Sequence, residues 1–176
     1  NIHVGFIKDC KSDRFDKFNI KIKPKSSKGS NILVCPSSPN INQYLGRSNW
    51  LDETITEIKK HTDKPIKIRE KPRGRGTSGP SEAKISIEEE LKDAWCCVTS
   101  CSISAIESLC AGVPVICDSK SFASAIASTS IVDIEDPYYV FPEQWLYSLA
   151  YQQFTPEEYS NGIAVNILKD IGILDV

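Results

Sequence analysis

The residues best suited by type and spacing to do chemistry lie in the run Thr99-Ser-Cys-Ser-Ile-Ser104. It follows Cys96-Cys-Val-Thr99, an apolar segment that reads as a buried strand. It precedes Ile103, Ile106, Leu109 and Cys110, which fall on one helical face. A hydroxyl-rich turn between strand and helix offers side-chain oxygens, backbone N–H groups and the positive end of a helix. That combination suits a phosphate held by Thr99, Ser100 and Ser102. The plainer reading of Ser102 is that it caps the helix. Glu107, about one and a half turns beyond Ser102, is either a solvated surface carboxylate or an acceptor for ribose hydroxyls. A second cluster, Lys64, Lys67, Arg69, Lys71, Arg73 and Arg75, is the densest run of positive charge. Read plainly it is a solvated face neutralised by Glu88-Glu-Glu90. Arg69 and Lys71 nevertheless stand where a strand enters a glycine-rich loop, a place for binding an anion.

Other chemistries find less support in the residues. Neither GxxxxGK[ST] nor GxGxxG occurs, which disfavours a P-loop or a dehydrogenase fingerprint. There is no GxSxG, and His3 and His61 are the only histidines. Asp118, Asp133, Glu135 and Asp136 follow strands and read as solvent-facing acids. No general base is assigned, although Asp9, His3 and Asp118 fall at expected strand ends. Trp145, Tyr147, Tyr151 and Phe154, at helical spacing, read as packing rather than a platform for bases. Cys97-x3-Cys101 lacks the second ligand pair of a zinc site, so no metal is expected.

These residues need elements to position them. Residues 2–7 and 31–35 read as short strands, Pro36–Asn40 as a loop, and the stretch from Asn49 to His61 as a helix with acids first and bases last. Pro65–Arg69 alternates as a strand does, and Lys71–Ser81 is a loop rich in Gly, Pro and Arg. Ser86-Ile-Glu-Glu89 has capping-box spacing and starts a helix toward Trp95. After the helix that Gly112 closes, Val113–Cys117 is another buried strand. Glu143–Phe154 and Pro156–Ile171 read as two helices, the second opened by the capping box Thr155-Pro-Glu-Glu158. Strand and helix in succession predict an α/β fold: a doubly wound parallel sheet, Rossmann-like, with C-terminal helices. In such sheets ligands bind beyond the strands' carboxyl ends, where the two clusters fall.

Composition bounds the rest. With 176 residues, 40% of them hydrophobic and 25% charged, the chain is globular and long enough to bury a core without staples. A net charge of -2 provides no field toward nucleic acid or anionic lipid. No apolar run approaches the roughly 20 residues of a membrane span. Seven cysteines in mostly apolar company, without a secretory signal, predict buried reduced thiols and a cytoplasmic protein.

Three segments together resemble one family. Thr99-Ser-Cys-Ser-Ile-Ser-Ala-Ile-Glu-Ser-Leu-Cys-Ala-Gly-Val-Pro-Val115 is similar to the signature of the C-terminal half of GT-B-type glycosyltransferases. In that signature a Ser/Thr-rich turn precedes a helix carrying Glu and then Gly-x-Pro-Val. Arg69-Glu-Lys-Pro72 and the run from Trp145 to Glu158 match further pieces of capsular-polysaccharide-type transferases and their phage and bacterial relatives. The likeness spans roughly residues 48–168, with Ser100-Cys101 standing where related sequences carry His-Asn. It implies that residues 48–176 form the Rossmann-like donor-binding domain and that residues 1–47 are a partial N-terminal segment. It implies a nucleotide-sugar as donor substrate and a glycan or other hydroxyl acceptor. Ser100 and Ser102 would meet the diphosphate, Glu107 the ribose, and Arg69 or Lys71 the leaving phosphate, with no metal and no resident cofactor. Because 1–47 is too short for an acceptor domain, the chain is either a fragment or completed by a partner or second copy. Two other readings stay open: a non-catalytic assembly module keeping the fold, as in a phage particle, and a sugar-nucleotide epimerase.

Overall fold

The computed structural model of the protein describes residue 7 and residues 9–26, 28–69 and 85–174. In chain order its elements are α1 (Asp13–Asp16), β1 (Asn31–Cys35), α2 (Pro39–Tyr44), α3 (Trp50–His61), β2 (Ile66–Ile68), α4 (Ile87–Leu91), β3 (Ala94–Thr99), α5 (Ser104–Cys110), β4 (Val115–Cys117), α6 (Glu143–Tyr151), α7 (Pro156–Ser160) and α8 (Ile163–Asp170). Two 3-10 turns, Phe122–Ala125 and Ile131–Glu135, follow β4. The chain forms two compact units, one of Ile22–Phe141 and one of Asn1–Lys21 with Pro142–Val176.

The larger unit is built on a four-stranded sheet in the order β2-β1-β3-β4, every pairing parallel. The predicted α/β, Rossmann-like architecture is therefore present. Strands buried on both faces read as continuous apolar runs, as Asn-Ile-Leu-Val-Cys does in β1, buried at every position. Alternation divides the side chains between faces. Ile32, Val34, Cys96, Val98 and Ile116 pack with Trp50 and Ile58 of α3 and with Ile134. The opposite face, with Leu33, Cys35, Cys97 and Thr99, lies on the side of α4 and α5. Helices on both faces make the sheet doubly wound. The chain runs from β1 out to β2, then crosses to β3 and β4 on the other side. The switch in direction thus falls between β1 and β3.

β1, which lies within residues 1–47, pairs on one side with β2 and on the other with β3. Of the expected strand 2–7 only Ile7 is described, and the loop Lys71–Ser81 lies outside the described residues. Part of the expected loop Pro36–Asn40 opens α2, with Ser38 accepting the Ile41 N–H at the cap and Pro39 in the first turn. The helix from Ser86 stops at Leu91, so that β3 begins at Ala94. Gly112 ends α5 at φ +80°, and a Cβ there would come within 2.0 Å of the Pro24 carbonyl oxygen.

The smaller unit gathers α1, α6, α7 and α8. The helix expected over Pro156–Ile171 breaks at Gly162, which adopts φ +77° between α7 and α8. The capping box at Thr155 and Glu158 forms as expected. Arg14, only 8% exposed, donates Nε to the Ala150 carbonyl at 3.0 Å and grips both oxygens of Glu158 at 2.8 and 3.1 Å. Its Nη2 also donates to the Gln153 carbonyl, and its guanidinium lies 4.9 Å from the Phe154 ring centroid. The aromatic series 145–154 packs as expected: Trp145 is buried, and Tyr147 meets Phe15 with ring centroids 5.5 Å apart. Within the described residues, no helix is long and apolar enough to cross a membrane.

Candidate functional site

Open α/β sheets present their crevice outside the strands' carboxyl ends, at the point where strand order reverses. Here that point is the exit of β1 and β3. Two hydroxyls weld these exits together. Thr99 Oγ1 donates to the Cys35 carbonyl at 2.7 Å, and Ser100 Oγ lies 2.6 Å from Ser37 Oγ, which also accepts the Cys101 N–H at 3.1 Å. Ser100 additionally accepts the Asp118 N–H on its carbonyl, tying in the exit of β4. Thr99 and Ser100 are each 1% exposed and fix the separation of the loops. Their hydroxyls point to protein partners and do not line the cavity described below.

Beside this weld lies a cavity of about 220 Å³. Its polar lining is Arg69, Ser102, Ser104 and Glu107, and its apolar lining is Cys35, Pro36, Ile87 and Ile103. Three of the six site residues expected from sequence, Arg69, Ser102 and Glu107, are thus brought to one place by the ends of β1, β2 and β3 and the start of α5. Lys71 lies outside the described residues. Two wider depressions, about 550 and 710 Å³, run along the solvent side of α3 and beside β2 and include none of the expected residues.

Among the described residues Arg69 is the one cation on this lining. Arg69 forms an ion pair with Glu90 through Nη1, which also donates to the Ile85 carbonyl at 3.0 Å. Its charge is therefore balanced within the protein, as the plainer reading of the basic run anticipated. The first three amides of α5 are engaged as well: Ser104 N–H reaches Ser102 Oγ at 3.4 Å, Ala105 N–H the Ser102 carbonyl, and Ile106 N–H the Ile103 carbonyl. Ser102 accordingly bonds the first amide of the helix while Ile103 occupies the cap position. These internal bonds occupy the first three amides of α5, which spans seven residues.

What the cavity presents instead is a set of acceptors and hydroxyls. Glu107 is exposed at its rim. Ser104 is 5% exposed, and its Oγ is buried without a hydrogen bond of ordinary geometry. An unsatisfied buried hydroxyl on a cavity wall is costly unless a ligand or water meets it. Ser104 is the functional candidate that sequence reasoning passed over, because as one of four hydroxyls in the turn it carried no distinguishing mark. The Cys35 thiol is held below its ordinary range, first by the neighbouring Cys97 thiol and, against the opposing effect of burial, also by Ser104.

The remaining candidates go elsewhere. Asp118 is 8% exposed in its side chain and pairs with Arg47, while its Oδ1 accepts the Lys120 N–H at 2.9 Å. Asp133 accepts from Ser128 at 2.7 Å, and Glu135 pairs with Lys64 at 2.5 Å and with Thr62. Asp9 belongs to the smaller unit, and His3 lies outside the described residues. All seven cysteines are free thiols and six are buried. Among the described residues no three His, Cys, Asp or Glu side chains group as a metal site. Comparison with family models, with curated proteins and with solved structures yields no match for this chain.

Proposed function

We propose that this is a glycosyltransferase-like donor domain that binds a nucleotide-activated sugar and transfers the sugar to a glycan or other hydroxyl acceptor. One observation carries the reading: Arg69, Ser102, Ser104 and Glu107 converge on a single cavity at the switch point of a parallel sheet. The character of the lining narrows the part of the donor it suits. A carboxylate and two hydroxyls beside the apolar Pro36, Ile87 and Ile103 fit a ribose with the edge of its base better than a doubly charged phosphate. In this arrangement Glu107 accepts ribose hydroxyls, Ser104 and Ser102 add hydrogen bonds, and Arg69, held by Glu90, borders the path of the phosphates. Charge-assisted hydrogen bonds to a carboxylate contribute about 1.5–3 kcal/mol each.

Calorimetric titration with UDP, CDP and GDP, each beside its 2′,3′-dideoxy analogue, tests the reading. At least one ribonucleotide is expected to bind, and its dideoxy analogue roughly tenfold or more weakly. No binding to any of them, or equal binding of both forms, overturns it. Product analysis with the matching nucleotide-sugar then separates transfer from epimerisation, which would release altered sugar without an acceptor. A second reading, a non-catalytic module that keeps the fold, is favoured by the closed amides at the start of α5. Transfer or donor hydrolysis by the pure protein would eliminate it.

A further inference from the structure

The two edges of the sheet in the larger unit are finished differently. At the β4 edge Ser128 closes the ladder, accepting the Cys117 N–H at 2.9 Å and donating to the Val115 carbonyl at 3.2 Å. At the other edge β2 pairs with β1 alone. The Pro65 carbonyl accepts the Ile32 N–H at 2.8 Å, and the Arg69 N–H donates to the Val34 carbonyl at 2.9 Å. Alternate residues of a parallel pair address the neighbour, so the N–H and C=O groups of Ile66 and Ile68 turn to the outer edge. Among the described residues no hydrogen bond meets them. Beside that edge lies the depression of about 710 Å³, lined by Ile55 and Lys59 of α3 and by Ile66 and Ile68 of β2. Ile66 packs on the core beneath α3, and Ile68, in phase with it, is 47% exposed. An unpaired edge beside a groove between strand and helix is where an added strand docks, its main chain on the edge and alternate side chains in the groove.

We propose that this edge and groove bind an extended peptide segment of a partner protein in which apolar residues alternate with acidic ones. Register sets the pattern. Partner residues opposite Ile66 and Ile68 share their face of the sheet and enter the groove, where apolar side chains cover Ile55 and Ile68. The partner residue between them points to the other face and stands opposite Lys67. The neighbouring cations Lys64 and Arg69 are already paired, with Glu135 and Glu90. Lys67 and Lys59 are exposed and have no such pair among the described residues. Asp63, the one acid of the lining, stands ahead of β2 and outside the pairing edge. Lys67 also argues against a second copy of this chain as the occupant. A two-fold pairing of Ile66 with Ile68 of the other copy sets the two Lys67 side chains against each other, across Cα atoms about 4.5 Å apart. Like charges so placed destabilise a strand pair, whereas an acid there stabilises it.

The test titrates the full chain with a synthetic peptide of alternating valine and glutamate, beside its valine–lysine counterpart, and follows NMR shifts and amide hydrogen exchange. The glutamate peptide is expected to bind roughly tenfold more tightly than the lysine peptide and to slow exchange at the Ile66 and Ile68 amides. Lys67→Glu is expected to invert the preference. Ile68→Pro removes an N–H that the sheet does not use, so the fold is kept while binding of the glutamate peptide is lost. If that variant misfolds, the Lys67→Glu inversion decides alone. Equal binding of the two peptides, binding of neither, or an unchanged preference in Lys67→Glu overturns the proposal. So does binding that leaves exchange at Ile66 and Ile68 unaltered, or a dimer of the free chain in which those amides are already protected.

Discussion

Two arginine–glutamate pairs, one in each compact unit, show what separates a structural polar site from a candidate ligand site. In the smaller unit Arg14 is saturated: it grips Glu158 through two nitrogens, donates to two carbonyls, and lies against Phe154. In the larger unit the bonds of the Arg69 side chain to described residues both run through Nη1, and the pair borders an open cavity with the unsatisfied Ser104 hydroxyl on its wall. Burial and charge alone do not distinguish the two. Their surroundings do: Arg14 commits its guanidinium to the carbonyls and carboxylate of its own unit, whereas Arg69 stands on the wall of a cavity.

The comparison can be broken first at its most saturated point. Arg14→Ala removes the fork on Glu158 and the bonds to the Ala150 and Gln153 carbonyls at once, and is expected to lower the stability of the smaller unit in denaturant unfolding by more than any other change named here. Arg14→Lys recovers little of this, because one ammonium cannot reproduce the bidentate fork and the stacking. Loss of less than about 1 kcal/mol would make the pair an ordinary surface bridge. The next effect belongs to the cavity. Glu107→Gln is expected to leave the unfolding midpoint in place and to weaken ribonucleotide binding by roughly tenfold to a hundredfold, read by calorimetry. Ser104→Ala probes the contrast through two readouts. It removes a hydroxyl whose contact within the protein is the Cys35 thiol, so stability should change by less than about 1 kcal/mol while nucleotide affinity falls several-fold. A fall in both would class Ser104 with Arg14 as a structural group.

The smallest effect expected is a pH dependence. Two bonds from Arg14 and the Thr155 N–H hold Glu158 at about 2, below its ordinary 4.5. A depressed carboxylate contributes stability that is fully present above the unfolded value and lost as pH falls through the folded one. Stability of the wild type should therefore drop between about pH 4.5 and pH 2, and Glu158→Gln should flatten that part of the profile. A superimposable profile in the variant would remove Glu158 from this role.

The architecture was legible in the sequence because its signals are local. Apolar runs such as Asn31–Cys35 and Val113–Cys117, the capping spacing at Thr155–Glu158 and the acids opening α3 each follow from one segment's own chemistry. The errors lie where composition and tertiary context conflict. Pro39 reads as a loop breaker although proline also starts helices, and Gly162 splits a periodic stretch that looks continuous. The candidate site was legible in part. Position after strands places Arg69, Ser102 and Glu107 together, since topology brings strand ends to one edge. Which hydroxyls of Thr99–Ser104 turn inward was not legible, because it depends on Ser37 and Cys35, more than sixty residues away in sequence. Nor could spacing disclose that Arg69 is neutralised by Glu90 or that the first amides of α5 are already bonded.

Soaking crystals of the protein with UDP, CDP or GDP examines the cavity directly. The expected density is a ribose with its hydroxyls within hydrogen-bond distance of Glu107 and close to Ser104, its base edge against Ile87 or Ile103. A nucleotide bound away from the β1–β3 exit, or a cavity still empty at saturating nucleotide, would contradict a donor-binding role for this site.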